Sequence, residues 1–307
     1  MRSGDLDSVD TIMRLAFGTI RGLRDPSAAF GDADSVRTRF RAAPDCAWVA
    51  ELDGELVGSV FATRWGSFGF FGPLSVHPDL WDRGIGSRLL EPVLEAFGRW
   101  DVRQAGLFTF AGSPKHLVLY QKHGFWPGSL TVVAAKAPET QIRGSYTLVS
   151  EELDESNRVV LEEVRELTDR IFRGLDVTRE IVALHTQELG DTILLRHEGG
   201  ALDGVAVCHS GAGSEAGSGT CFVKFGACRP GRRAAERFER LLDACDAFAA
   251  SVGTGRLVAG VNTGRLDAYR RMLARGFSAE LVGVAMRLTP EAPHFDTPSH
   301  YVIDDLR

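Results

Sequence analysis

Residues 74–90, LSVHPDLWDRGIGSRLL, have the residue types and spacing of an anion-binding turn. An apolar run ends at Val76, and a short loop leads to Arg83-Gly84-Ile85-Gly86-Ser87-Arg88, which opens a helical pattern. The first N–H groups of a helix lack intrahelical partners and carry partial positive charge, and glycines let a large anion approach them. The two arginines add mobile positive charge. The stretch predicts a pyrophosphate site, with a tight turn and solvated arginines as the alternative.

This stretch resembles the acetyl-CoA motif of the GNAT superfamily of N-acetyltransferases, (Gln/Arg)-x-x-Gly-x-(Gly/Ala) after a strand. Both glycines of the motif are present, and Trp81 stands where the family usually has Gln or Arg. The resemblance implies that the strand Leu74-Ser75-Val76 binds the pantetheine arm of acetyl-CoA through the amides of Leu74 and Val76. It also implies that the amides of residues 83–88 hold the pyrophosphate.

A general acid is needed because the thiolate that leaves during acetyl transfer should be protonated. In SPKHLVLYQKHGF, Ser113 lies seven residues before Tyr120, and Gly124-Phe125 follows four and five residues after it. This spacing matches the family's, so the resemblance implies that Tyr120 is the acid and that Ser113 lies at the coenzyme. The alternative is a tyrosine buried beside Leu117 on the apolar face of a helix.

The general base that must take a proton from the amine is less clearly marked. Four titratable residues lie near the predicted strands, each with a solvated position as its alternative: Glu51, Asp53, His77 and Asp79. His116 and Lys122 are candidates for contacts with the nucleotide end of the coenzyme, or for exposed helix positions.

Two further groups of residues have a functional and a structural interpretation. The first group is aromatic and is expected to form a core or the seam between domains, with the lining of an acceptor pocket as the alternative: Phe61, Trp65, Phe68, Phe70 and Phe71. The second group is acidic and is expected to lie in a solvated loop, with attraction of a cationic amine as the alternative: Asp25, Asp32 and Asp34.

A mixed α/β fold must position these residues. Apolar residues at steps of three and four predict a helix over 5–20, and a short helix is expected near 35–41. Two apolar runs around Asp53-Gly54 predict a hairpin. The strand FGFFGPLSVHP, a helix from Gly84, the strand GLFTF, a helix that begins at Ser113-Pro114, and the strand GSLTVVAAK follow.

The second half of the sequence repeats this plan. His77 to Phe125 matches Arg229 to Phe277 without a gap at an offset of 152 residues, and Trp48 to Gly58 matches Leu194 to Gly204 at an offset of 146. The repeat predicts two tandem GNAT-like domains related like a dimer, each a mixed, mostly antiparallel central sheet flanked by helices.

The expected boundaries follow from polar segments. The first domain covers residues 1–137 and carries the acetyl-CoA motif, the second covers 138–292, and a linker lies at 137–145. Residues 293–307 form an extended tail, expected to pack along the surface against the first half. The longer loop of the second half, GAGSEAGSGT, is expected to be flexible.

The second half is interpreted as a degenerate copy. In the gapless register Gly84 meets Glu236 and Gly86 meets Phe238, so a carboxylate would repel pyrophosphate and a ring would block its approach. Tyr120 meets Met272, which cannot donate a proton. Tyr269 could replace it only in a shifted register.

Composition excludes several classes of protein. The 307 residues hold 35 Lys and Arg against 41 Asp and Glu, a net charge of −6 that argues against nucleic-acid or anionic-membrane partners. No apolar run is long enough to span a membrane, and no signal segment precedes Asp5, which predicts a cytoplasmic protein. Five cysteines at wide spacings favour neither a disulfide framework nor zinc, and the spacing of His294 and His300 supports no metal site.

The sequence thus favours an N-acetyltransferase that transfers acetyl from acetyl-CoA to an amine of a small molecule by direct attack on the thioester, without a metal and with an active first half. A non-catalytic acyl-CoA-binding sensor and a protein or peptide N-acetyltransferase are the alternatives. Because the repeat can bury the usual dimer face, a monomer is favoured over a homodimer. The acceptor, the acyl chain length and the base are not specified by the sequence.

Overall fold

The structure, a computed structural model, describes residues 1–139, 145–152 and 157–306. Residues 140–144 of the predicted linker lie outside the described residues. No helix among the described residues is both long and apolar enough to cross a membrane.

The first half of the chain has the predicted order of elements. The Asp53-Gly54 turn joins β1 to β2 with both residues at positive φ, 53° and 85°, as a two-residue hairpin requires. Its elements are α1 (Leu6–Ile20), α2 (Ser35–Ala42), β1 (Ala47–Leu52), β2 (Glu55–Trp65), β3 (Phe68–Val76), α3 (Ile85–Arg99), β4 (Gln104–Phe110), α4 (Pro114–Lys122) and β5 (Trp126–Lys136).

The second half repeats the order with two helices that the sequence analysis did not identify, the single turn α5 (Val149–Glu152) and a helix in TREIVALHT. That helix is short, and it buries only Thr178, Ile181 and Leu184, so its periodic signal is weak. The elements are β6 (Thr147–Leu148), α5 (Val149–Glu152), α6 (Asn157–Asp169), α7 (Thr178–Thr186), β7 (Gly190–Arg196), β8 (Leu202–Gly211), β9 (Gly217–Cys228), α8 (Ala234–Ser251), β10 (Arg256–Asn262), α9 (Leu266–Ala274), β11 (Ser278–Arg287) and β12 (Val302–Ile303).

The described strands form one open, mostly antiparallel sheet in the order β1-β2-β3-β4-β11-β5-β10-β9-β8-β7-β6, with β12 beside β9. This confirms the predicted fold class. The last strand of each half is exchanged, because β11 lies between β4 and β5, and β5 lies between β11 and β10. The division of the chain at residue 137 stays a prediction, and the exchange means that neither half has a complete sheet alone.

The strand pairs are related by a twofold symmetry. Gly283 of β11 faces Phe110 of β4, and at a shift of 152 residues Thr131 of β5 faces Asn262 of β10. The pair of Gly283 with Thr131 is its own equivalent, so the pseudo-twofold axis passes between β5 and β11. The two halves are therefore arranged like the subunits of an isologous dimer.

Two expectations about irregular segments are wrong. The loop expected to be flexible holds Ser214 and the Glu215 side chain in buried positions, and Ser218 donates to the Asp32 carboxylate across the seam. In the tail, Val302 and Ile303 are fully buried as β12, so this part of the tail does not lie along the surface. The loop is made of small and polar residues, and the apolar run in the tail is only two residues long. Neither pattern specifies its partners, which come from distant parts of the chain.

The aromatic block packs into the core and the seam between the halves. Trp65 contacts Phe225 with ring centroids 5.2 Å apart, and Phe68 contacts Phe295 of the tail at 5.2 Å. Phe61, Phe68, Phe70 and Phe71 are all buried. Burial of these large rings stabilises the contact between the halves.

The exchanged strand β11 passes too close to Phe108 to carry a side chain at Gly283. A Cβ there would collide with the Phe108 ring and with the Thr109 carbonyl oxygen. We expect Gly283→Ala to lower the free energy of unfolding by about 1–3 kcal/mol, as overpacking does. Urea denaturation measures the change.

Gly98→Ala is the matched control, because a Cβ at Gly98 in α3 has no neighbour within 4 Å. This substitution should be neutral or slightly stabilising, since alanine favours the helix by about 1 kcal/mol. Equal stability of the Gly283→Ala protein and the wild type would contradict the close approach of β11 to β4.

Candidate active site

The divergence of two parallel strands creates the site. β3 pairs with β4 over Phe68–Phe70 and Gln104–Gly106. Beyond that pairing, Phe71–Leu74 of β3 and Phe108–Phe110 of β4 line a common cavity of about 470 Å³. This volume falls within the range of small-molecule sites.

The amides assigned to the pantetheine arm face the diverging side of β3. The His77 N–H donates to the Val57 carbonyl oxygen of β2 at 2.9 Å. Because backbone polar groups alternate along an antiparallel strand, the Ser75 amide also faces β2, and those of Leu74 and Val76 face away from it. The buried Ser75 side chain lies 3.0 Å from the Ser59 hydroxyl, so this residue has a structural position.

Trp81 fixes the end of this strand. Its indole N–H donates to the Val76 carbonyl oxygen at 2.8 Å, on the same outer side of β3. The Lys115 ammonium lies 5.6 Å from the centre of the Trp81 ring and 2.7 Å from the Asp82 carboxylate. Trp81, which stands where the family has Gln or Arg, therefore connects β3 to the loop that precedes α3.

The predicted anion-binding turn lies at the N-terminus of α3. Gly84 is the N-cap with φ 79°, a left-handed conformation that favours glycine. The Arg88 N–H makes the first helical bond, to the Gly84 carbonyl oxygen at 3.2 Å, which leaves the amides of Ile85, Gly86 and Ser87 ahead of the helical ladder. Arg83 and Arg88 are exposed. The Ser87 hydroxyl lies 2.6 Å from the His123 imidazole nitrogen, so its side chain is held on α4.

Tyr120 lies on the cavity wall, buried between the Phe71 ring at 5.6 Å and the His116 ring at 6.4 Å. Burial raises the pKa of its phenol to about 12, against the opposing effect of a hydrogen bond with the Thr109 side chain. The group therefore stays protonated throughout the physiological range. Ser113 is the half-exposed N-cap of α4, and its side chain makes no capping hydrogen bond.

His116 also lines the cavity, one helical turn before Tyr120 on the same face of α4. Its Nδ1 is buried and has no hydrogen-bond partner among the described residues. Burial, and then the charge of Lys115, lowers the pKa of the imidazole below its usual 6.5. The ring is therefore neutral at pH 7. The sequence reading placed it at the nucleotide end of the coenzyme, whereas the structure places it in this cavity.

The four predicted base candidates lie elsewhere. Glu51 and Asp53 are exposed at the β1–β2 hairpin, and the Asp79 carboxylate is exposed beside His77. None of these four is among the described residues that line the cavity.

The second half contributes a charged wall whose residues the sequence analysis did not identify. Glu215, in the loop between β8 and β9, lines the cavity and accepts two hydrogen bonds from the Arg39 guanidinium of α2, at 3.1 and 2.6 Å. Lys224 lies 2.7 Å from Glu215 and 2.8 Å from Glu180. Burial acts to raise the pKa of Glu215, but the charges of Arg39 and Lys224 outweigh it and hold that pKa well below its usual range.

This buried network also braces β3, because Arg39 Nη1 donates to the Gly72 carbonyl oxygen at 2.5 Å. No local pattern in the sequence signals the network, since Arg39 and Glu215 lie 176 residues apart. The contacts join α2 and β3 of one half to β9 and its loop in the other.

The corresponding turn in the second half is built differently. Helix α8 begins at Ala234, three residues before the position that matches Ile85. Glu236 is paired with Arg233 in this first turn, and Phe238 is fully buried against the Tyr301 ring at 5.4 Å. Met272, at the position of Tyr120, is buried in the core.

Comparison with known proteins identifies the family. Residues 16–125 match the model of the acetyltransferase (GNAT) family. The first half of the chain therefore contains a segment that matches the GNAT acetyltransferase family. None of the curated proteins matches the sequence significantly.

Solved structures share the fold over nearly the whole chain. A putative acetyltransferase from Pyrococcus horikoshii has a TM-score of 0.67 at 19% identity, covering 97% of this chain and 90% of its own. A GCN5-related N-acetyltransferase from Sphaerobacter thermophilus has a TM-score of 0.58 at 16% identity, covering 95% of each chain. A tandem GNAT protein from the clavulanic acid biosynthesis pathway has a TM-score of 0.54 at 15% identity, covering 94% and 97%. These similarities establish a tandem GNAT fold.

No group of three or more His, Cys, Asp or Glu residues that could hold a metal occurs in the described part of the chain. The titratable groups of the site are thus organised as Tyr120 and His116 on one wall and the ion-pair network on another.

His209 of β8 is buried beside the ion-pair network of Arg39, Glu215 and Lys224, and its imidazole is neutral. Neither ring nitrogen has a hydrogen-bond partner among the described residues, and burial lowers its pKa to about 4. Between pH 6.5 and 4 the unfolded chain therefore holds a proton that the folded chain does not. The free energy of unfolding should fall by about 3 kcal/mol as the pH drops through this window.

The expected result is that His209→Leu loses this part of the pH dependence. Urea denaturation of both proteins at pH 7, 5.5 and 4 measures it, with His185→Leu at an exposed position of α7 as the control. Parallel pH dependences for His209→Leu and the wild type would show that His209 does not have the lowered pKa.

Proposed function

We propose that the protein is an acetyl-CoA-dependent N-acetyltransferase of small-molecule amines, and that its first half carries the active site. One observation carries the proposal: the outward amides of Leu74 and Val76, the α3 turn at Gly84 and the phenol of Tyr120 adjoin the same strand divergence. The second half has a carboxylate and a buried ring at the matching turn, which supports a single active site.

The coenzyme would lie along β3. The pyrophosphate is held by the amides of Ile85, Gly86 and Ser87 at the positive end of α3, and Arg83 and Arg88 supply mobile charge. A Cβ at Gly86 would lie 3.4 Å from a Leu119 methyl and 3.7 Å from a Leu74 methyl, so the turn packs closely on the strand. Ser113 lies at the start of α4, beyond the end of β4.

The reaction is a direct displacement. The amine nitrogen attacks the thioester carbonyl carbon, the new C–N bond forms, and the C–S bond breaks to release the thiolate of coenzyme A. The amides of β3 polarise the carbonyl oxygen, as an oxyanion hole does. Tyr120 donates its proton to the departing sulfur, and it cannot act as a base because its pKa is about 12.

We propose that His116 is the general base that accepts the proton of the amine. Its Nδ1 is buried and has no hydrogen-bond partner in the part of the chain that the structure describes, and its lowered pKa makes it a neutral acceptor at pH 7. It borders the same cavity as Tyr120. The two side chains thus have opposite preferences, an acid that stays protonated and a base that stays neutral, on one helical face.

The walls of the cavity indicate the kind of acceptor. Phenyl rings from both halves border it, and the charged groups are concentrated in ion pairs, Glu215 with Arg39 and Glu280 with Arg256. A cavity closed by both halves favours a small amine with an apolar or aromatic body over a protein segment. The internal twofold axis supports a monomer as the working form, because it supplies the contact that a dimer would make.

Coenzyme binding tests the proposal first. We expect calorimetric titration with acetyl-CoA to give one site per chain. Gly84→Glu should weaken binding at least ten-fold, because a side chain at φ 79° strains the turn and its carboxylate repels the pyrophosphate.

Gly253→Glu is the matched control, since Gly253 has φ 71°, open space around its Cβ and a position remote from the turn. Its dissociation constant should equal that of the wild type. Two sites per chain would contradict a degenerate second half, and no binding would reject the acetyltransferase proposal.

The acid and base have distinct pH signatures. With an amine identified by thiol release from acetyl-CoA, kcat should rise with pH through a midpoint below 6.5 as His116 loses its proton. His116→Gln should remove this limb and lower kcat by about 10²–10⁴-fold. Tyr120→Phe should lower kcat at all pH values and leave the coenzyme dissociation constant unchanged.

His185→Gln, at the exposed end of α7, should keep the wild-type profile. An acid limb that survives in His116→Gln would assign the base to another group. Unchanged turnover in Tyr120→Phe, with coenzyme still bound, would favour a site without this acid.

A further inference from the structure

The second half contains a cleft that matches the proposed coenzyme cleft in register. Thr220 of β9 faces Arg256 of β10 in parallel pairing, as Phe68 of β3 faces Gln104 of β4, at the same offset of 152 residues. The β9–β10 pairing ends at Val223 and Ala259. The strands then separate as their counterparts do in the first half.

The C-terminal segment of the same chain fills this second cleft. Val302 faces Ala227, and Ile303 faces Gly226, in antiparallel pairing with the open side of β9. The Cys228 N–H donates to the Tyr301 carbonyl oxygen at 3.1 Å. Gly226 and Cys228 correspond to Leu74 and Val76, whose amides are proposed to bind pantetheine. In the second half the backbone of the tail lies against the corresponding amides.

Residues at the other coenzyme-contacting positions have been replaced by residues that bind the tail. Arg265 stands at the position of Ser113, is fully buried, and donates to the Val302 carbonyl oxygen at 2.9 Å. Its guanidinium also lies 2.7 Å from the Asp304 carboxylate. Phe238, at the position of Gly86, packs against the Tyr301 ring.

The tail then reaches the active site of the first half. Asp305 lies so close to Gly260 of β10 that a Cβ there would collide with its side chain. Leu306 borders the 470 Å³ cavity together with Phe108 and Tyr120. A Cβ at Gly106 of β4 would lie 3.5 Å from a Leu306 methyl, which places the leucine against the sheet of the first half.

We propose that the coenzyme cleft of the second half has become a binding cleft for the chain's own C-terminal segment, and that this segment presents Leu306 as a specificity-determining wall of the acceptor cavity. The first part stands on the pairing of the tail with β9. The second part rests on the proposed function, because it concerns the amine that the first half accepts. Leu306 limits the length of the acceptor by occupying part of the cavity.

Acceptor selectivity tests the role of Leu306. The probes are benzylamine, 2-phenylethylamine, 3-phenylpropylamine and 4-phenylbutylamine, with kcat/KM followed by thiol release from acetyl-CoA. Leu306→Ala should raise the ratio of kcat/KM for the longest over the shortest amine by about ten-fold, and Leu306→Phe should lower it. The dissociation constant of acetyl-CoA should not change in either variant.

Leu273→Ala, at an exposed position on α9, is the control and should keep the wild-type ratio. Equal ratios for Leu306→Ala, Leu306→Phe and the wild type would overturn the specificity role. If no probe amine is acetylated although acetyl-CoA binds, the proposed acceptor class is wrong. Binding of the tail in the second cleft is then tested separately by amide hydrogen exchange.

Amide hydrogen exchange tests the cleft without any turnover. Gly260→Ala should displace Asp305 and accelerate exchange at Gly226, Cys228 and Ile303 by at least 100-fold, while the strand β7 keeps its protection. Gly255→Ala, whose Cβ has open space, should exchange like the wild type. The number of acetyl-CoA molecules bound should remain one per chain in both variants.

Two outcomes would overturn the conversion of the cleft. Unchanged exchange at Gly226 and Cys228 in Gly260→Ala would show that the tail is not held there by this contact. A second bound acetyl-CoA after displacement of the tail would show that the cleft is still a coenzyme site that the tail only covers.

Discussion

The exchange of the last strands is the constraint on which the rest of the structure depends. With β11 between β4 and β5, the two halves share one hydrogen-bonded sheet, and the twofold axis runs through the facing pair of Thr131 and Gly283. β11 and β10 therefore border the cavity beside β4, and Leu281 and Val258 belong to the same wall as Phe108. A single half could supply the coenzyme turn, but it could not enclose this cavity.

Within this symmetric frame the two halves differ at the turn that opens the matching helices α3 and α8. Gly84 and Gly86 leave the first turn of α3 open, whereas α8 begins three residues earlier, with Glu236 in its first turn and the Phe238 ring buried beneath it. The backbone register of the strands is unchanged. The proposed difference in coenzyme binding therefore lies in side chains and in an early helix start, while both halves keep the same sheet.

Local sequence patterns were sufficient for most elements and for the turn. Asp53-Gly54 predicted the hairpin, and the glycines at 84 and 86 predicted the α3 turn, because these features depend on nearby residues. The exchange of β5 and β11 could not be predicted, since a strand pattern does not specify its neighbours. The burial of Glu215 had no local signal either, because Arg39 lies 176 residues away. His116 was named as a candidate contact of the coenzyme or an exposed helix position, and its place in the cavity depends on how α4 packs.

The filled cleft of the second half follows from the cost of unpaired backbone. Strands that diverge inside a sheet expose N–H and C=O groups, and such groups are expensive when buried without partners. In the first half a coenzyme is proposed to supply those partners. In the second half the tail supplies them, through the Cys228 amide and the β9–β12 pairing, and Arg265 neutralises the carboxylate of Asp304 that enters with it. A half that keeps the divergence without binding a ligand needs such a substitute, which connects the proposed degeneration of one site with the shape of the other.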